Sequence, residues 1–350
     1  LPLIRFTLSR KKRWHIKQVT LLQPSEIPPH HFEFMKTAAE QYLSKKRMYQ
    51  WKKKQRFHDL AILIDAHEPH PPSNAKAIEA FVKQGETLGL NVDLIDKNDA
   101  KNIAEYDALF IRTTTAVNHY TYRLARRATQ ENLVVIDDPQ SILKCSNKIY
   151  LAELMNGHQI PTPHTTFISK YDTVLPDLIY PCVLKRPDGA FSHGVVKIEN
   201  IDSLQKTLPQ FFKTSDLVLV QSFIPTEFDW SIGIIDNKPL FACKYYMVEG
   251  HWQIFNWDTE TGKLGGNLEC VPLHAVPEGV IKTALKSARL IGNGLYGVDI
   301  KSDGKTHYVI EVNDNPNIDF QGEDLISGDL LYQEIMKVFL NRIRRKHGYA

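Results

Sequence analysis

The sequence predicts an α/β and α+β multidomain protein, with a small open parallel α/β domain followed by a larger α+β domain. Three observations lead there. The chain has 350 residues, more than one core ordinarily holds, since single cores stop growing at roughly 250 residues. From Leu60 to about residue 140, short continuous apolar runs alternate with helical stretches, and runs without polar alternation mark parallel strands covered on both faces. Beyond that point, hairpin-like strands follow one another with few helices between them, the pattern of an α+β domain.

Residues 1–57 read as a small appended piece, broken by Pro24, Pro28 and Pro29. It ends in a basic run of Lys45, Lys46, Arg47, Lys52, Lys53, Lys54 and Arg56, interleaved with Tyr49, Trp51 and Phe57. Such a run can grip phosphates and stack bases; a solvated helix face with inward aromatics is the plainer reading. Residues 58–140 carry strands at Leu60–Ile64, Val92–Ile95, Ala108–Ile111 and Leu133–Ile136, and a helix at Ala75–Leu88. Asp138-Pro139 is a turn, after which Ser141 is expected to cap one helix running to about Asn156, with Gly157 as its stop. Strands are then expected at Thr165–Ile168, Cys182–Lys185, Val195–Ile198, Leu217–Gln221, Trp230–Ile235, Leu240–Tyr246, Trp252–Phe255, Gly297–Ile300 and Tyr308–Val312. Helices are expected at Ser203–Phe212, Pro277–Ile291 and Asp329–Arg345.

Composition bounds the function classes. With 43% hydrophobic and 24% charged residues, the chain can bury real cores and is neither disordered nor collagenous. A net charge of +3 is too small to mark the whole chain as a nucleic-acid binder. Cys145, Cys182, Cys243 and Cys270 show no C-x-x-C spacing, so buried free thiols in a reducing cytoplasm are expected. No run approaches the ~18 apolar residues of a membrane span. The sequence opens on Leu1 without an initiator Met and is read as a fragment.

Gly292-Asn293-Gly294-Leu295-Tyr296-Gly297 formally matches G-x-G-x-x-G. It follows a helix and enters a strand, the reverse of a dinucleotide fingerprint, so a tight turn is expected. More informative are Asp299 and the segment Val309-Ile310-Glu311-Val312-Asn313, joined by the turn Ser302-Asp303-Gly304-Lys305. Period two puts Glu311 and Asn313 on one strand face, and a hairpin register that sets Asp299 beside them makes an all-oxygen cluster suited to Mg²⁺. Upstream, Lys185 ends an apolar strand and is followed by Gly189 and Gly194, so a cation and a close-approaching backbone loop could meet one phosphate. The strand Leu217–Ile224 runs into Pro225, with Glu227 and Asp229 beyond, and can offer its exit backbone to a purine edge.

The order of Lys148, Lys185 with its glycine loop, Gln221 to Glu227, Asp299, and Glu311-Val312-Asn313-Asp314-Asn315-Pro316-Asn317 resembles the ATP-grasp superfamily, in particular its RimK-like carboxylate-amine (α-L-glutamate) ligases. The resemblance covers roughly residues 141 to 345. It implies a pre-ATP-grasp α/β domain at 58–140 followed by an ATP-grasp domain at 141–345. Residues 1–57 resemble the C-terminal remnant of the N-terminal RimK-associated domain. The implied cofactors are ATP and Mg²⁺, with Mn²⁺ as the alternative ion. Lys148 and Lys185 would then bind ATP phosphates, Ser192, His193, Gly194 and Val195 would form a mobile lid, Gln221, Ser222, Phe223 and Ile224 the adenine hinge, and Glu227 a ribose acceptor. The metal would sit on Asp299, Glu311 and Asn313, with Asn313 also catalytic. Ser231 stands where these ligases usually place an Arg, and Lys244 is expected to supply the missing charge. His251, Trp252, Asn256 and the turn Gly265-Gly266-Asn267 are candidates for the acceptor pocket.

The expected activity is ADP-forming ligation of an amino-acid or peptide carboxylate to an amine. A protein acceptor and a homo-oligomer are among the expected partners; a membrane and a nucleic acid are not. A nucleotide-binding regulator without ligation is the rival reading, and a nucleic-acid-associated protein acting through the basic run is a third.

Overall fold

A computed structural model of the chain describes residues 3–10, 14–43, 58–188, 194–256 and 264–348. The chain divides into two compact units, Leu1–Arg56 and Phe57–Ala350. The first holds an antiparallel hairpin of β1 (Leu3–Arg10) and β2 (Trp14–Leu22), followed by helix α1 (Phe32–Leu43). The basic run from Lys45 to Arg56, with Phe57, lies outside the described residues.

The second unit opens with β3 (His58–Leu63), α2 (Ala75–Thr87), β4 (Leu90–Ile95), β5 (Ala108–Ile111), α3 (Tyr120–Gln130) and β6 (Val134–Ile136). The strands form a parallel sheet in the order β4-β3-β5-β6. Leu60 to Leu63 and Ala108 to Ile111 are fully buried, because both faces are covered; that is why their sequences lack alternation.

The helix expected from Ser141 to Asn156 is two helices, α4 (Pro139–Cys145) and α5 (Lys148–Gly157). Asp138, not Ser141, caps the first by accepting from the backbone N–H groups of Gln140 and Ser141, and Asn147 caps the second by accepting from those of Ile149 and Tyr150. Each cap satisfies orphan donors of a helix start. The break places Lys148 at the first position of α5, where its N–H donates to the Pro187 carbonyl at 2.8 Å.

Next come β7 (Thr165–Ser169), β8 (Cys182–Lys185), β9 (Val195–Ile198), α6 (Ile201–Phe211) and β10 (Leu217–Ser222), an antiparallel sheet in the order β7-β10-β8-β9 with α6 packed through Leu204, Leu208 and Phe211. The remaining elements are β11 (Phe228–Ile235), β12 (Lys238–Tyr246), β13 (Phe255–Asn256), β14 (Leu264–Gly265), β15 (Leu268–Cys270), α7 (Glu278–Ile291), β16 (Leu295–Ser302), β17 (His307–Asn313) and α8 (Asp329–Lys346). Five of these strands form a sheet in the order β15-β12-β11-β16-β17. The strand expected at Trp252–Phe255 shrinks to the two residues of β13.

This five-stranded sheet is two-faced. Ile232, Ile234, Ala242, Val298 and Ile300 pack on α7, while Ile235, Phe241, Cys243 and Leu295 join the core of α2 and α8. The expectation of free thiols is corrected at Cys243 and Cys270, which face each other across β12 and β15 and form a disulfide. Cross-strand register brings them together, which spacing along the chain does not show. Cys145 and Cys182 are free and buried. The formal G-x-G-x-x-G is a turn as expected: Gly292 ends α7, and the Gly294 N–H donates to the Tyr296 hydroxyl at 3.0 Å. Among the described residues, no helix is long and apolar enough to cross a membrane.

Candidate active site

One cavity of about 360 Å³ opens between the four-stranded and five-stranded antiparallel sheets, bordered by the loops after β5 and β17. Its floor is the β16–β17 hairpin. Register pairs Asp299 with Glu311 and Gly297 with Asn313, so the three oxygen-bearing side chains converge as the alternation requires. The Asn313 amide donates to Asp299 Oδ2 at 3.1 Å. Lys148, from the first turn of α5, donates to Glu311 Oε1 at 2.5 Å. Burial, then the neighbouring charge of Glu311, pushes the Asp299 carboxyl up to about 7. Two carboxylates forced together in this way favour a bound cation, and an all-oxygen donor set fits Mg²⁺.

The loop beyond Asn313 is clamped from the parallel sheet. Arg112, directly after β5, is 1% exposed and donates to Asn315 Oδ1 at 2.6 Å and to the carbonyls of Pro72 and Pro316 at 2.5 and 2.9 Å. Burial lowers its guanidinium to about 10, which leaves it charged at neutral pH. Gly297 allows this loop to fold back, since a Cβ there would lie 2.8 Å from Pro316. Asp314, in the same loop, is pushed up to about 6 by burial.

Opposite the hairpin, Lys185 ends β8, and burial together with the charges of Lys148 and Lys301 lowers its ammonium to about 8. Gln221, Ser222, Phe223 and Ile224 all line the cavity, as do Val195 and Trp252. Gln221 is held by donation from its amide to Thr165 Oγ1 at 3.0 Å. The Trp252 and Phe223 rings meet edge to face at 5.9 Å. Gly194 sits at φ +72°, a conformation that suits glycine. Glu227 is exposed and is not part of the cavity wall. Ser192 and His193 lie outside the described residues.

Lys244 does not fill the position expected of it. It pairs in register with Trp230, which puts it on the α7 face of the sheet, where it bonds Glu269 at 3.2 Å and lies over the Phe228 and Trp230 rings. Ser231 pairs with Asp299 on the cavity face and donates to its Oδ1 at 2.9 Å. The cation on that face is Lys301, which sequence reasoning missed. It lines the cavity and donates to Asp229 Oδ1 at 2.5 Å and Thr226 Oγ1 at 2.8 Å. The signal was present, since Lys301 stands two residues after Asp299 on the same strand.

Residues 145–317 match the model of the ATP-grasp domain. Among similar proteins, a probable alpha-L-glutamate ligase of Rhodopirellula baltica is 24% identical over 74% of this chain and 66% of its own length. Another from Aeromonas salmonicida is 23% identical over 83% of this chain and all of its own length. D-alanine–D-alanine ligase from Bacillus anthracis superposes with a TM-score of 0.61 at 14% identity, over 84% of this chain and 100% of that one. The same enzyme complexed with ATP gives 0.58 at 15% identity, over 83% and 99%. Residues 145–317 are thus an ATP-grasp domain, the fold of the ATP-dependent ligases to which the chain is similar.

Proposed function

We propose that the chain joins an amino-acid carboxylate, glutamate in the first instance, to the amine of an amino acid, peptide or protein through an acyl phosphate. The observation that carries this reading is the convergence of Asp299, Glu311 and Asn313 with Lys148, Lys185 and the Gln221–Ile224 strand end on one cavity. The substrate carboxylate attacks the γ-phosphorus of ATP, forming the acyl C–O–P linkage and releasing ADP. The amine then attacks the acyl carbon and inorganic phosphate leaves. Asp299, Glu311 and Asn313 would hold Mg²⁺, or Mn²⁺ in its place, and the ion would neutralise phosphoryl charge. Lys148, Lys185 and Lys301 supply positive charge in a site shielded from water, where fixed charges act most strongly. Lys185, lowered to about 8, still carries its proton at neutral pH, and entering phosphates would hold that proton more firmly.

In this reading 1–57 belong to an N-terminal RimK-associated domain, 58–140 are the pre-ATP-grasp domain, 141–345 the ATP-grasp domain, and Ser192 to Val195 the lid that keeps water from the acyl phosphate. Glu227, beyond the hinge, would reach the ribose only from the rim. Trp252 and the β13–β14 segment would border the acceptor amine. A cytoplasmic reaction, where ATP is at hand, is part of this reading. An ADP-release screen over amino acids, singly and in pairs with amines and peptides, followed by mass spectrometry, tests the proposal. A product heavier by one residue supports it. ATP binding by calorimetry with no ADP released across the panel would replace it with a nucleotide-binding regulator, the reading that Ser231 favours.

A further inference from the structure

His58, Asp107 and His347 meet at the end of the parallel sheet away from the cavity. His58 opens β3 and Asp107 immediately precedes β5, so both stand at the amino ends of parallel strands. The cavity residues Thr114 to Ala116 lie beyond the carboxyl end of β5. His347 caps the carboxyl end of α8. Three elements separated in sequence thus deliver two imidazoles and one carboxylate to one place. His347 Nε2 lies 3.1 Å from Asp107 Oδ1 and His58 Nδ1 lies 3.7 Å from Asp107 Oδ2. One donor atom from each residue falls within 4.8 Å of the others.

We propose that His58, Asp107 and His347 bind one Zn²⁺ ion, separately from the ligase cavity. Ligands about 2.0–2.1 Å from a tetrahedral zinc are roughly 3.4 Å apart; each imidazole lies near that distance from one of the two Asp107 oxygens, His347 from Oδ1 and His58 from Oδ2, so closing on a single oxygen needs only small side-chain shifts. The fourth position would be taken by water. Mixed imidazole and carboxylate donors suit zinc, whereas Mg²⁺ takes oxygens only. The ligands are also supported from behind, as metal ligands usually are. The Asp59 N–H donates to Asp107 Oδ2 at 2.9 Å, and Asp59 Oδ1 accepts from the Asn91 amide at 2.6 Å. His58 is only 8% exposed, and its ring stacks on that of His347 with centroids 5.6 Å apart. The ion would tie the end of α8 to the start of β3.

The test uses the full chain without an affinity tag, stripped with a chelator and kept in excess MgCl₂ so that the oxygen cluster is occupied. Calorimetric titration with ZnCl₂ should give one ion per chain and a rise in thermal midpoint. The single variants H347A and D107N should weaken binding at least about tenfold, the loss seen even for outer-shell partners. Co²⁺ in place of zinc should give tetrahedral visible bands that vanish in H347A, while ADP release by H347A stays at the parent rate. Absence of saturable one-site binding, equal binding in parent and both variants, or loss of binding in E311Q instead would overturn the proposal.

Discussion

The two faces of the five-stranded sheet are made from alternate residues of the same strands, yet they do different work. On the α7 face, Ile232, Val298 and Ile300 are fully buried among apolar neighbours. On the cavity face the same strands carry Asp229, Ser231, Asp299 and Lys301, each held by a named partner. A strand gives its two faces to different environments at no topological cost. The comparison also separates two lysines of the same sheet: Lys301 is 13% exposed beside Asp229, and Lys244 is 21% exposed beside Glu269. One is inside the candidate site and the other is behind it.

The largest effect on folding is expected from Lys301→Met, which leaves the Asp229 carboxylate buried without its cation and should cost about 3 kcal/mol. The double variant D229N/K301M should recover most of that loss in chemical denaturation, while its KM for ATP, like that of K301M, should exceed the parent's because the cavity has lost a cation. Additivity of the two single changes would show that the pair does not act as a unit.

The Asp299 carboxyl, raised to about 7 by burial and Glu311, gives a pH signature of the cavity face. The folded chain holds this proton to higher pH than the unfolded chain, so the contribution is fully present below about pH 4 and lost as pH rises through about 7. The thermal midpoint of D299N should therefore fall less steeply than that of the parent across this range. Mg²⁺ should stabilise the parent most above pH 7, where the carboxylate is ionised.

On the opposite face, Ile300→Val should cost about 1 kcal/mol through lost packing and leave ADP release unchanged. The smallest effect is expected from Lys244→Met. Its partly exposed pair with Glu269 should be worth less than about 1 kcal/mol, with turnover at the parent rate. A large loss of turnover in K244M would reverse the assignment of the two lysines.

Much of this was readable in the strands themselves. Alternation through Gly297, Asp299 and Lys301 against Val298 and Ile300 shows both faces of β16, and a hairpin turn at Ser302–Lys305 makes Asp299 and Glu311 neighbours. Lys244 misled because its face is set by pairing with Trp230 across the sheet, and proximity in sequence carries no such information. Arg112 is invisible for the same reason. Its partners Asn315 and Pro316 lie about two hundred residues away, and a lone Arg after a buried strand reads as an ordinary surface residue. The division of α4 from α5 is legible at Asn147, a capping residue that stands directly before Lys148.

The most direct test of the cavity face as the site of ATP-dependent ligation is the initial rate of ADP release by E311Q beside the parent, at saturating ATP and Mg²⁺ with the preferred amino acid and amine. Glu311 pairs with Asp299 in register and bonds Lys148, so the variant should fold with the parent's circular dichroism and release no ADP above background. Turnover at the parent rate would contradict the account.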